Sequence, residues 1–253
     1  MKKGIDVSKH QGTIDWAKVK ASGVQFAMIR AGYGANNIDT QFKRNISECN
    51  RLGIPCGVYW FSYAYTEDMA RKEAEYCLAA IKDYALDYPV AFDFEYDSVS
   101  YAAKNGVTMS KSLASKIVKA FCEAVEAAGY YAVNYANKDY LTNYFDAAVK
   151  KDYDLWLAQW PKSPDLSAPP DCGIWQYSST GKVSGISGNV DLNAAYKDYP
   201  AIISKMKGTT MEKTEKEKAL EWVKEQGISD GTSPDSPATR SQVWVMLYRM
   251  LNK

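Results

Sequence analysis

Pro89-Val90-Ala91-Phe92-Asp93-Phe94-Glu95-Tyr96 reads as a buried β-strand that ends in two carboxylates. Side chains at i and i+2 of a strand point to the same side, about 7 Å apart along the backbone. Asp93 and Glu95 therefore project together, and Phe92 and Phe94 pack on the opposite side. Two acids held that close do not both ionise easily, so one pKa rises toward the range useful to a proton donor. Paired carboxylates are the minimum equipment for cutting a glycosidic bond. A lone Asp-x-Glu also occurs at strand ends whose charges are merely solvated or salt-bridged, so the surrounding sequence has to decide.

Outward from this strand, strand and helix patterns alternate. Upstream, residues 5–7, 26–31 and 57–62 read as strands. Residues 15–21, 41–52 (stopped by Gly53) and 67–84 (opened by Thr66 as N-cap) read as helical. Downstream come an amphipathic helix over 111–128 closed by Gly129, a strand over 131–135 and a short helix over 140–145. Three more strands, 155–158, 173–176 and 190–192, follow with little helix between them. Repeated βα units imply a parallel sheet with right-handed crossovers. Eight candidate strands imply an α/β closed barrel, whose reactive groups gather at the carboxyl ends of its strands. Asp6, Asp93, Glu95 and Asp191 all fall at or near such ends.

Several separated blocks accompany the acidic strand. They are Gly4-Ile5-Asp6-Val7-Ser8-Lys9-His10-Gln11-Gly12 with Ile14-Asp15-Trp16, and Phe26-Ala27-Met28-Ile29-Arg30-Ala31-Gly32-Tyr33-Gly34. Then come Gly57-Val58-Tyr59-Trp60-Phe61-Ser62-Tyr63, Trp175-Gln176-Tyr177-Ser178 and Gly188-Asn189-Val190-Asp191-Leu192-Asn193. Together, over residues 3–200, they resemble the Chalaropsis-type lysozymes, family 25 of the glycoside hydrolases. The resemblance implies an irregular TIM-like barrel of five βα units plus three further strands. It also implies endo-acting hydrolysis of the β-1,4 bond between N-acetylmuramic acid and N-acetylglucosamine in bacterial peptidoglycan, with net retention.

Glu95, with its aromatic neighbours and Asp93 close by, is the candidate general acid, and Asp93 the carboxylate that stays ionised beside the anomeric carbon. Asp6 and Asp191 match the family's other two acidic positions, where they would tune the pair and bind the sugar or its acetamido group. Whether Asp93 or that acetamido group is the nucleophile stays open. Tyr59, Tyr63, Tyr135, Trp156, Gln159, Trp175 and Gln176 lie at or near the cleft and are candidates for substrate binding, although strand alternation will bury some of them behind the sheet. Lys9 and Arg30 could meet stem-peptide carboxylates or form a salt bridge within the barrel. No metal or organic cofactor is implied.

The rest of the composition agrees. A chain of 253 residues with 46% hydrophobic content fits one barrel plus an appendage, and a net charge of +1 argues against nucleic acid as a partner. Aromatics at 13% suit stacking on sugar rings, though most will be core. The five cysteines (Cys49, Cys56, Cys77, Cys122, Cys172) are scattered outside metal-ligand spacing and read as reduced thiols. His10 is the single histidine, which argues against a Ser-His or Cys-His mechanism and a histidine-rich zinc site, and it reads as an organiser of the first loop. Met1-Lys2-Lys3 leads into the first strand without a signal-peptide core, and no segment is apolar enough to span a membrane. These features suggest a bacteriophage endolysin made in the cytoplasm of a bacterial host and acting on its wall, or a chain whose leader was removed.

Residues 1–204 are thus the barrel, 205–218 a polar, lysine-rich linker, and 219–253 a small helix-turn-helix module. The module resembles a single surface-layer-homology-like repeat, with Thr239-Arg240-Ser241-Gln242 departing from that family's usual acidic ending. It is a candidate for wall binding or homo-oligomerisation, because its apolar positions exceed what two helices bury alone. Met211 is a candidate internal translation start. Two rivals remain: a chitinase-like hydrolase, against which Ala91 stands where a further acid belongs, and a wall-binding protein without catalysis, which the four filled acidic positions do not favour.

Overall fold

The computed structural model describes residues 1–232 and 236–252; for residues 208–214 and 216 it describes the helical backbone alone, so the candidate start at Met211 lies outside the fully described residues. The chain divides into two compact units, Met1–Ile203 and Ser204–Lys253.

The first unit is built on strands β1 (Lys2–Val7), β2 (Phe26–Tyr33), β3 (Asn37–Ile38), β4 (Cys56–Phe61), β5 (Val90–Asp93), β6 (Ala132–Asn137), β7 (Asp154–Ala158), β8 (Ile174–Gly181) and β9 (Val190–Ala195). Their order, β1-β9-β8-β7-β6-β5-β4-β2-β3, closes through a direct β1–β2 pairing. Eight strands therefore form a barrel, and the two-residue β3 hangs on β2. Pairings from β1 through β2, β4, β5, β6 and β7 to β8 are parallel. The last strand, β9, runs antiparallel to both β8 and β1. This is the expected irregular TIM-like barrel: five βα units, then three strands with little helix.

The helices start and stop where local chemistry requires. Asp15 Oδ1 accepts the Lys18 N–H (3.2 Å) ahead of α1 (Trp16–Ala21). Gly53, at φ 64°, ends α2 (Phe42–Leu52) in the left-handed region that a side chain would resist. Thr66 Oγ1 caps α3 (Glu67–Ile81) through the Met69 N–H, and Ser110 caps α5 (Lys111–Ala127) through the Leu113 N–H, both at 3.2 Å. Between them lies α4 (Tyr96–Lys104), which the residue pattern did not announce, with Glu95 as its N-cap residue. Two short helices, α6 (Lys138–Asn143) and α7 (Ala147–Asp152), complete the crossover from β6 to β7.

Alternation along the strands makes two apolar layers. Ala91 faces the barrel interior with Phe26, Met28, Val133 and Ile174, beneath which Tyr199 and Ile203 are buried. Phe92 and Phe94 face the helices, where Phe92 meets Phe121 of α5 at 4.9 Å between ring centroids. Gly4 is obligatory in the inner layer, because a Cβ there would lie 2.4 Å from the Phe26 ring. All five cysteines are free thiols, Cys172 half-buried and the others buried. Among the described residues no helix is long and apolar enough to cross a membrane.

Residues 205–218, read above as a linker, are helical, part of α8 (Tyr199–Glu225). Gly208 and the adjacent threonines are weak helix formers, but the run of Lys and Glu after them, uninterrupted by proline, favours helix strongly enough to carry the backbone through. In the second unit α9 (Arg240–Leu251) opens with a reciprocal cap: Thr239 Oγ1 accepts the Gln242 N–H (3.3 Å) and Gln242 Oε1 accepts the Thr239 N–H (2.8 Å). Arg249 donates to the carbonyl of buried Ile228 (3.2 Å). Trp222, Trp244, Leu247 and Tyr248 remain exposed.

Candidate active site

The barrel strands bring four acids to one mouth. Asp6 near the end of β1 lies directly opposite Asp191 of β9 in the antiparallel register. Asp93 ends β5, paired in register with Phe61 of β4 and Tyr135 of β6. Glu95 follows two residues later. The cavity they share measures about 280 Å³. Its remaining walls are Ser8, His10, Gln11, Arg30, Tyr59, Phe61, Tyr135, Trp156 and Gln176.

Burial, more than any other cause, raises the pKa of each acid above its ordinary value. Asp93, at 5% exposure, is held well up by desolvation and then by the charge of Glu95. Among the described residues no N–H or O–H donates to its buried Oδ1. Glu95 is raised by burial, but the hydrogen bond it shares with Asp93 pulls it back. The N-terminus of α4 also favours a negative charge on this residue. Burial thus raises both acids of the pair, Asp93 the further, and the two share a hydrogen bond. The reason is depth: Asp93 is enclosed within the strands, whereas Glu95 stands at their rim.

Asp6 and Asp191 repeat the pattern. Burial and then Asp191 raise Asp6, while two amide hydrogen bonds work against them. Those bonds come from Asn193 Nδ2 (2.7 Å) and Gln176 Nε2 (2.9 Å), both to Asp6 Oδ2. Asp191 is raised by burial and pulled back by its hydrogen bond with Asp6. Two carboxyl pairs, each joined by a hydrogen bond, thus face one cavity.

The amides are themselves held. Trp156 Nε1 donates to Asn193 Oδ1 (2.8 Å). Gln176 Oε1 accepts from the Tyr135 hydroxyl and from Trp160 Nε1, each at 3.1 Å. A network of aromatic N–H and O–H groups therefore orients the groups that orient Asp6.

Of the eleven candidate residues, eight line the cavity: the four acids with Tyr59, Tyr135, Trp156 and Gln176. Three do not. Trp175 alternates with Gln176 on β8, so it points away, buried, and donates to the Gln159 carbonyl (2.8 Å). Gln159 lies past the end of β7, and its Oε1 is buried without a donor among the described residues. Tyr63 lies beyond β4 in a cluster with Phe61 (5.2 Å) and Tyr101 (5.1 Å). Arg30 lines the cavity yet is committed to Asp39, at 2.7 Å from Nη2 and 2.8 Å from Nε. The salt-bridge alternative for Arg30 therefore holds. The Lys9 backbone donates to the same Asp39 carboxylate (3.0 Å), and the Lys9 ammonium lies 5.5 Å from the Tyr33 ring centroid.

Sequence reasoning missed Asn193, Phe61, Ser8, Gln11 and Trp160 as site residues. Trp160 is 57% exposed although its N–H is anchored on Gln176. Its signal was available: an aromatic residue just beyond the carboxyl end of a barrel strand, where such folds place their ligands.

Comparison with known proteins agrees with this geometry. The family profile described as "Glycosyl hydrolases family 25" matches residues 5–186. The chain is 30% identical over 194 residues to the autolytic lysozyme of Clostridium acetobutylicum, covering 76% of this chain and 55% of that one. It is 29% identical over 198 residues to lysozyme M1 of Streptomyces globisporus, covering 75% and 66%. It thus spans little more than half of the first relative and just under two thirds of the second. Among solved structures, the modular autolysin LytC of Streptococcus pneumoniae, in complex with a synthetic peptidoglycan ligand, superposes with a TM-score of 0.66. Identity there is 31%, over 77% of this chain and 46% of that one.

Proposed function

The chain belongs to the glycosyl hydrolases family 25, and from that premise we propose that it is an endo-acting muramidase of bacterial peptidoglycan. It cuts the β-1,4 bond between N-acetylmuramic acid and N-acetylglucosamine with net retention. The observation that carries this reading is the convergence of Asp93, Glu95, Asp6 and Asp191 on one cavity.

Glu95, at the rim, is the group that reaches the glycosidic oxygen. It takes the proton shared with Asp93 and delivers it to the leaving N-acetylglucosamine oxygen as the bond to the muramic anomeric carbon breaks. Asp93 is left ionised beneath the positive charge that develops on that carbon. Either the Asp93 carboxylate or the substrate's own acetamido oxygen then bonds to the anomeric carbon. Water, deprotonated by Glu95, displaces that group and restores the original configuration. Carboxyls close enough to share a hydrogen bond support retention, since inverting enzymes hold theirs about 6.5–9.5 Å apart to admit a water. Asp6 and Asp191, oriented by Asn193 and Gln176, bind the sugar or its acetamido group. Tyr59, Tyr135 and Trp156 give the apolar walls against which the ring packs.

The second unit is the part of this proposal concerned with delivery. Its exposed Trp222, Trp244, Leu247 and Tyr248 suit either a wall polymer or a second copy of the chain. Light scattering of the full chain separates these: a monomer at all concentrations removes the second copy. An endolysin-type role in wall lysis belongs to the same proposal. The test of the whole reading is the reducing end of digested peptidoglycan. Borohydride reduction should yield the alcohol of N-acetylmuramic acid; the alcohol of N-acetylglucosamine would overturn the bond assignment.

A further inference from the structure

Glu73 is a carboxyl where the pattern of α3 calls for an apolar residue. It lies on the inward stripe with Ala70, Ala74, Cys77 and Ile81, and is 3% exposed. Its Oε1 accepts the Tyr63 backbone N–H at 2.9 Å. The Ser62 hydroxyl lies against the same carboxyl and accepts the Ala64 N–H at 3.1 Å. Glu73 therefore holds the Tyr63 amide directly and lies against Ser62, whose hydroxyl in turn holds Ala64, all just beyond β4.

Ser62 is where that grip meets the reacting pair. Its N–H donates to the Asp93 carbonyl (2.7 Å). Its own carbonyl accepts from the Ser98 hydroxyl (2.6 Å), and that hydroxyl accepts the Glu95 N–H (3.0 Å). Ser62 and Ser98 are both fully buried, so no water competes for these bonds. We infer that Glu73 is a positioning residue for the carboxyl pair, holding Ser62 and, through Ser62 and Ser98, the backbone of Asp93 and Glu95. It touches neither sugar nor reacting atoms. The inference rests on Asp93 and Glu95 being the reacting pair.

The physical case is one of tolerance. Burial raises Glu73 to about 7, so keeping this carboxyl ionised in the fold costs stability at neutral pH and above. The loop it holds leaves the barrel beside β5, and displacing a reacting group by about 1 Å can cost on the order of 10²-fold in rate. An ordinary hydrophobic contact fixes a loop's position less sharply than a directed bond to its amide.

The test uses Glu73→Gln, Glu73→Leu, Ser98→Ala and the Leu–Ala double variant of the full chain. Soluble muropeptide oligomers are the substrate, well below each variant's unfolding temperature. Glu73→Gln keeps an acceptor for the Tyr63 N–H and should hold kcat within about threefold. Glu73→Leu should lower kcat by roughly 10²-fold with KM nearly unchanged, and the double variant should be no slower than its slower parent. Hydrogen exchange at the Tyr63 and Glu95 amides should accelerate in Glu73→Leu. If that variant does not fold, Glu73→Asp, one methylene shorter, carries the same test with a loss of about tenfold. A folded Glu73→Leu with wild-type kcat and unchanged Glu95 exchange, or losses that multiply in the double variant, would overturn the inference. A wild-type chain that leaves muropeptides intact would instead remove the muramidase reading, and exchange at Glu95 would still decide the positioning role.

Discussion

Replacing Asn193 with alanine tests the network that orients Asp6. Asn193 joins two partners: its oxygen accepts the Trp156 N–H at 2.8 Å, and its amide donates to Asp6 Oδ2 at 2.7 Å. All three residues are buried. Losing the Asp6 bond costs about 1 kcal/mol, and the stranded Trp156 donor about 1–3 kcal/mol more. A total near 3 kcal/mol lowers the melting temperature of a barrel this size by roughly 6–12 °C, at about 2–4 °C per kcal/mol. Much of that penalty belongs to the orphaned donor, so Trp156→Phe in the Asn193→Ala background should cost less than the single changes sum to. Urea unfolding of the four chains gives the coupling energy, expected at about 1–2 kcal/mol. Asp6, having lost one of the two bonds that hold its pKa down, should also move further up, and kcat should fall with it. Additivity to within about 0.5 kcal/mol would refute the network, since independent sites add to that tolerance.

Glu95→Gln should leave the fold intact and lower kcat by at least about 10²-fold, because an amide delivers no proton at neutral pH; turnover within a few-fold of wild type would remove Glu95 as the acid. Trp160→Ala should raise KM for oligomers by roughly 2–10-fold, the worth of one aromatic face at about 0.5–1.5 kcal/mol, while the Tyr135 hydroxyl still holds Gln176. An unchanged KM would show that the exposed indole meets no sugar. Glu73 governs stability against pH. Its folded pKa of about 7 lies above the ordinary glutamate value of 4.5, so the native state binds more protons than the unfolded chain between those values. Stability therefore falls as pH rises through that window, by about 3 kcal/mol in all. Glu73→Gln should flatten this part of the curve and be the more stable protein at pH 8; parallel curves would locate the dependence in other groups.

The acidic strand was legible because a period of two, bounded by Pro89 and by two acids, leaves little freedom in which side faces inward. The same rule shows why Trp175 and Gln176 could not both belong to the cavity, although only the position of β8 in the barrel tells which one does. Tyr63 and Gln159 lie past their strands, where alternation stops and loop geometry takes over. Asn193 was visible as part of a block but not as a ligand of Asp6, since that bond joins residues 187 apart. Spacing shows that two carboxyls are close, but how deeply each is buried, which sets how far its pKa is raised, is a property of the closed barrel. The helical backbone of residues 205–218 follows from their lysines and glutamates, whereas Gly208 and two threonines draw the eye to a loop.

The antiparallel final strand has a consequence for when activity can begin. Asp191 and Asn193 reside on β9, the last barrel strand to be synthesised, and their partner Asp6 is on the first. A chain emerging from the ribosome adds roughly 5–20 residues per second, so Asp6 waits on the order of ten seconds or more for them. Until then it has neither its second carboxyl nor one of its two amide donors, and the closing edge of β1 is open. Pairings across so long a stretch of chain are also among the slower ones to form. The four-acid cavity is thereby left unfinished in every incomplete or half-folded copy, and the seam of the barrel acts as a built-in timer set by the length of the message.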